Sequence, residues 1–165
     1  MIPELVRCLD RTLGYIRALV ADLTDEEMTL QPPGVPNHAA WTLGHVIHSW
    51  GEIAAELGVS SWLPADWESF FGYGTSPADV VRSGHSSKAE LITQLVDASD
   101  HLRQVLLCVG ENELRERLAD ASSREIFATK GDALLQVVSA HSAFHAGQLA
   151  AWRRAIGRQP VGVFI

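Results

Sequence analysis

Apolar residues in this chain recur every three or four positions in four separate stretches, and no stretch sustains the every-second-residue alternation of a half-buried strand. That periodicity predicts helices. Leu5, Leu9, Thr12, Ile16, Leu19 and Leu23 step in this way after Pro3, a residue suited to a first helical turn, so a first helix is expected from about Pro3 to Leu23. Thr24 to Glu27 then fits a capping box that the proline-rich run at 32–36 cuts short. Asn37 is expected to cap a second helix with the seam Leu43, Ile47, Trp50, Ala54 and Leu57, ending at Gly58. A third starts near Ser87, where Ser87 and Glu90 have capping-box spacing, and carries Leu91, Leu95, Ala98, Leu102, Val105 and Val109. The fourth follows Thr129 to Asp132 and runs to about Ile156, before Gly157 and Pro160.

At 165 residues the chain has the size of one domain, so the expected architecture is all-α: one antiparallel four-helix bundle over 1–165. The connection between helices two and three, residues 59–86, holds Trp62, Trp67, Phe70, Phe71 and Tyr73 and is too aromatic for a disordered linker. It is expected to cover an end of the bundle or line a pocket, with a substrate lid, a subunit interface and plain core as its possible uses. Residues 111–128 are charged, with a short helix expected at Glu113 to Leu118.

Thirteen Lys and Arg against 20 Asp and Glu give a formal charge of −7, the wrong sign for tracking a phosphate backbone, so no nucleic-acid partner is expected. No apolar run approaches the roughly 18 residues of a bilayer span, and charges interrupt the N-terminal segment, so no membrane partner is expected either. The two cysteines, Cys8 and Cys108, form no Cys-x-x-Cys motif, which fits a reducing cytoplasm and excludes a thiolate metal site.

The seam of helix four reads Leu134, Val138, His141, His145, Leu149, Trp152 and Ile156, and places two histidines four apart on its inward face. Burying two unpartnered imidazoles is costly. A shared metal ion satisfies one nitrogen of each, although a carbonyl or carboxylate partner would also serve. Further histidines stand at 38, 45, 48, 85 and 101. In helix two, Trp41, His45, His48 and Glu52 form a face nearly opposite the apolar seam, and periodicity alone leaves open whether that face is covered.

Asn37-His38-Ala39-Ala40-Trp41-Thr42-Leu43-Gly44-His45, followed by His141-Ser142-Ala143-Phe144-His145-Ala146-Gly147-Gln148-Leu149 and then Arg153-Arg154-Ala155-Ile156-Gly157, resembles the DinB superfamily of DinB-like and YfiT-like proteins. The resemblance implies a four-helix bundle holding one divalent metal ion through His45, His141 and His145, with His38 a local structural residue. His48 has no fixed role in that pattern. Zinc, nickel, iron and manganese all accept such ligands. The resemblance implies a metal-dependent enzyme acting on a small molecule, foremost a thiol-dependent S-transferase in which a low-molecular-weight thiol is activated by the metal. A metal-dependent hydrolase is the alternative, with His48 or Glu52 as the nearest general base. A third reading is a dimeric metal- or ligand-binding module without chemistry, since a mean hydropathy of +0.06 suits helices buried in a homodimer. Arg153 and Arg154 suit a helix C-terminus, or an anionic group of a thiol cofactor.

Overall fold

The computed structural model describes residues 2–84 and 87–162, and every regular element among them is helical. In chain order these are α1 (Ile2–Val20), α2 (Asp25–Met28), α3 (Ala39–Glu56), α4 (Trp67–Phe71), α5 (Pro77–Ser83), α6 (Lys88–Cys108), α7 (Glu111–Leu114), α8 (Ser123–Ile126), α9 (Lys130–Leu135), a π-helical segment (Gln136–His141) and α10 (Ser142–Ala155). Helix α1 packs on α6 and α10, and α3 packs on the same two. The seams read from the sequence form the core between them. Leu9, Leu43, Ile47, Leu95, Leu102 and Leu149 are essentially fully buried, each contributing about 1.5–3 kcal/mol by leaving water.

Helix starts follow the expected chemistry at three places. Thr24 and Glu27 bond reciprocally in a capping box, as do Thr129 and Asp132, and the Ser87 side chain accepts the Glu90 N–H. At α3 the expectation fails: His38, not Asn37, is the cap, its Nδ1 accepting the Trp41 N–H at 3.1 Å. A neutral imidazole nitrogen is an acceptor like a hydroxyl oxygen, and this one is fixed because Nε2–H donates to the Pro77 carbonyl at 2.9 Å. The first helix ends at Val20 rather than Leu23, and the short helix expected at 113–118 lies at Glu111–Leu114 instead.

The fourth helix differs most. It forms one rod with α9, but six residues of π-helix interrupt the α geometry. Ser142 explains the local pattern: its hydroxyl donates to the Val137 carbonyl, five residues back, at 2.6 Å, and accepts the Trp50 indole N–H from α3 at 2.9 Å. Such wide turns concentrate at functional sites, and this one ends on His141.

Helix α3 is buried on nearly all sides, which answers the question its two faces raised. Leu43, Ile47 and Trp50 meet the core while Trp41 and His45, on the other face, are also buried. What covers them is the segment of α4 and α5, tied to α3 by four hydrogen bonds. Trp67 donates to the Gly44 carbonyl at 3.1 Å, His45 to the Phe71 carbonyl at 2.7 Å, Trp41 to the Thr75 hydroxyl at 2.9 Å, and His38 to Pro77. Gly44 permits this approach, since a Cβ there would collide with the Phe71 ring.

Candidate metal centre

Three histidines meet where α3 crosses the last helix. His45 comes from the middle of α3, His141 from the end of the π segment and His145 from the first turn of α10; their ligand atoms all lie within 4.8 Å of one another. His141 Nε2 stands 3.3 Å from His45 Nε2 and 3.1 Å from His145 Nε2. Nitrogens bound tetrahedrally at about 2.0–2.1 Å from an ion stand about 3.4 Å from each other, so the spacing fits a shared cation.

The outer nitrogens say which protons the rings carry. His45 Nδ1–H donates to the Phe71 carbonyl, and His145 Nδ1–H donates to Gln148 Oε1 at 2.8 Å. Both rings therefore present bare Nε2 lone pairs to the centre. His141 Nδ1 is buried with no hydrogen-bond partner. Were its proton on Nε2, it could satisfy only one of the two facing nitrogens; were it on Nδ1, three lone pairs would converge. Either way a close nitrogen–nitrogen contact is left with no proton, an arrangement that a cation stabilises and the protein alone does not.

Burial also keeps these rings neutral. Desolvation, reinforced by the neighbouring histidines, pushes His141 down to about 4 and His145 to about 3, and desolvation lowers His45 despite the opposing pull of the Phe71 carbonyl. Three imidazoles left uncharged at neutral pH are ready ligands. Trp41 stacks on His45 with ring centroids 4.7 Å apart and planes 10° from parallel, closing one side of the centre, and the Phe144 ring meets His145 edge-on at 5.2 Å.

The other sequence candidates lie apart from this centre. His48, half-buried one turn beyond His45, and Glu52, one further turn on, line an adjoining cleft of about 1040 Å³. Desolvation lowers His48, with Glu68 opposing, while Glu52 is raised by desolvation and then by Glu68, Glu56 and Asp120. His101 is exposed on α6 and stacks on Trp62, and His85 lies outside the described residues. Arg153 is not available to a cofactor: it is buried, bonded by two nitrogens to the Asp22 carboxylate at 2.5 and 2.8 Å, and donates also to the Leu19 and Gln159 carbonyls. Arg154 is exposed.

Sequence reasoning left the Phe71 carbonyl and the Gln148 acceptor unassigned. Gln148 sits in the histidine motif three residues after His145 and so had a visible signal, whereas the Phe71 carbonyl, a backbone group 26 residues from His45, had none.

A family model described as the DinB superfamily matches residues 9–149. Among solved structures, the crystal structure of a conserved protein from Enterococcus faecalis superposes with a TM-score of 0.78 at 18% identity, covering 96% of this chain and 98% of that one. No curated protein matches the chain. No helix among the described residues is long and apolar enough to cross a membrane.

Proposed function

The chain belongs to the DinB superfamily, and from that premise we propose that His45, His141 and His145 hold one divalent metal ion in a metal-dependent enzyme. Its reaction, on this reading, is the transfer of a low-molecular-weight thiol to a small electrophile. The observation that carries the proposal is the convergence of three neutral imidazoles, two of them held by outer hydrogen bonds with bare nitrogens inward. When bound, the ion would supply thiolate at neutral pH by lowering the pKa of a coordinated thiol, and zinc, nickel, iron or manganese would suit the ligand set. The chain's own residues orient and shield: the Phe71 carbonyl and Gln148 hold the ring tautomers, and Trp41 excludes water from one side of His45. In the transfer the sulfur–carbon bond forms as the leaving group departs with its electron pair.

A second reading, hydrolysis, is favoured by Glu52, which a raised pKa suits to accept a proton from water, with His48 beside it. A metal-binding module without chemistry remains the third. The pairwise packing of α1, α3, α6 and α10 supports an antiparallel four-helix bundle occupying the chain as one domain, with the aromatic connection as a cover on α3. A homodimer fits the exposed face of α10, where Phe144 is 61% exposed and Gly147 faces open space. Two unpaired cysteines fit a cytoplasmic protein acting on small molecules rather than nucleic acid or membrane.

Metal analysis of protein purified without chelator tests the centre, with about one ion per chain expected. Incubation with an alkylating electrophile and a panel of small thiols tests the reaction. Conjugate formed only with a particular thiol supports transfer, thiol-independent cleavage of ester or amide substrates supports hydrolysis, and neither activity in the metal-loaded protein supports the binding module.

A further inference from the structure

Along α3 the residues His45, His48, Glu52 and Glu56 succeed one another on one face, from the metal centre outward into the cleft. The cleft adjoins the centre closely: its walls include Val137, one turn before His141, and Gly72, next to the Phe71 carbonyl that fixes His45. Its ionisable lining is one histidine, Tyr73 and four carboxylates, Glu52, Glu56, Glu68 and Asp120, with no Lys or Arg among the described residues that form it.

Two of those carboxylates are already spent on the chain. Glu56 accepts the Ala119 N–H at 2.8 Å, and Asp120 accepts the Ser122 hydroxyl and the Ser123 N–H. Of the nearby bases, Lys130 is paired with Glu116, while Arg124 donates to the Leu118 and Ala119 carbonyls and keeps its charge without lining the cleft. Of the two arginines that the sequence offers an anionic cofactor, Arg153 is closed off by Asp22, and Arg154 is exposed on α10 and does not line the cleft. What the cleft offers a ligand is therefore negative: the exposed carboxylates of Glu52 from α3 and Glu68 from α4.

We propose that this cleft holds a substrate or co-substrate thiol bearing a cationic nitrogen, ammonium or guanidinium, with Glu52 and Glu68 as the residues that select it. The proposal rests on the metal reading above and gives its site a substrate class. Glu52 stands seven positions beyond His45 on α3, about 10 Å along the axis, so the cationic nitrogen stands about that far from the group that meets the metal. An anionic thiol body would meet two carboxylates with no Lys or Arg among the described residues that line the cleft.

The test uses cobalt(II)-loaded full-length protein and three thiols that differ only at the far end: 6-aminohexanethiol, 6-mercaptohexanol and 6-mercaptohexanoate. Thiolate-to-cobalt charge-transfer absorption reads each affinity, and the cobalt d–d bands report an intact centre. The amine is expected to bind about tenfold more tightly than the alcohol, and the carboxylate more weakly than either. In the isosteric Glu52→Gln/Glu68→Gln variant the d–d bands should persist and the three affinities converge. Equal affinities in the wild type, or a preference that survives in the variant, would overturn the proposal while leaving the metal reading standing. Failure of the wild type to take up cobalt would overturn the metal reading, and this proposal with it.

Discussion

His145 and Arg153 lie two turns apart on α10, and both are buried, yet the chain completes their hydrogen bonding in opposite ways. Arg153 finds a partner for each guanidinium nitrogen: the two oxygens of Asp22, the Leu19 carbonyl and the Gln159 carbonyl. The pairing holds the Asp22 carboxyl down at about 2 and raises Arg153 further. His145 has one satisfied nitrogen, and its other faces two more imidazoles with no donor sufficient for all three. A buried group whose partners come wholly from the chain fastens the fold, here the end of α10 to the end of α1. One left incomplete by the chain is where the proposed ion would bind.

The largest expected effect breaks the comparison at the histidines. His145→Ala or His141→Ala should lower metal affinity more than about a hundredfold, since even residues that only orient a ligand contribute 10–100-fold. Metal content after dialysis, read by mass spectrometry, checks this. In the metal-stripped protein the same variants should change unfolding free energy little, because they remove a group that the chain leaves unsatisfied. Retention of a full metal complement in both variants would dismiss the site.

Arg153→Ala should do the reverse. It strands Asp22 and two carbonyls, at a cost of about 2 kcal/mol, below the roughly 3–5 kcal/mol for breaking a fully buried pair because Asp22 is half exposed. Metal content should stay unchanged. Urea unfolding of the metal-free protein measures the cost, and a loss no greater than that of His145→Ala would erase the distinction between the two constellations.

A smaller effect sharpens the boundary between them. Gly44→Ala adds a methyl group where the Phe71 ring lies, and Phe71 carries the carbonyl that fixes His45. The ring and its backbone must shift, so metal affinity should fall about tenfold while all three ligands remain. Competition with a chromophoric chelator reads the change; unchanged affinity would mean that the cover on α3 does not position His45.

How much of this was legible follows the same division. The seams of α1, α3 and α6 could be read because burial of Leu9, Leu43 or Leu95 depends on helical period alone, which is local. The pair His141 and His145 was legible for that reason, and His45 through its motif. The π segment was not, because it depends on Ser142 being gripped by Trp50, 92 residues away in sequence. Nor was the role of Phe71, whose contribution is a backbone carbonyl without a side-chain signature. The cap of α3 was misplaced because Asn37 is the commoner capping residue, whereas His38 is held in acceptor form by a carbonyl, Pro77, that only the fold brings near.

That cap gives the smallest effect and extends the comparison to protons. Burial lowers the His38 pKa, and charging the ring would place a proton on Nδ1, the atom that accepts the Trp41 N–H. The folded state thus refuses a proton that the unfolded chain takes near pH 6.5. The stability His38 contributes is fully present above that pH and is lost as pH falls through its lowered folded value. His141 and His145, at about 4 and 3, widen the same window in the metal-free protein. Thermal melts of metal-free protein should show Tm falling from pH 6.5 toward 4. His38→Asn keeps an acceptor at the cap but cannot titrate, so its curve should be shallower by at most one proton's worth of slope. An identical slope would show that His38 protonates without unfolding the start of α3, and would place the whole acid sensitivity at the unsatisfied histidines.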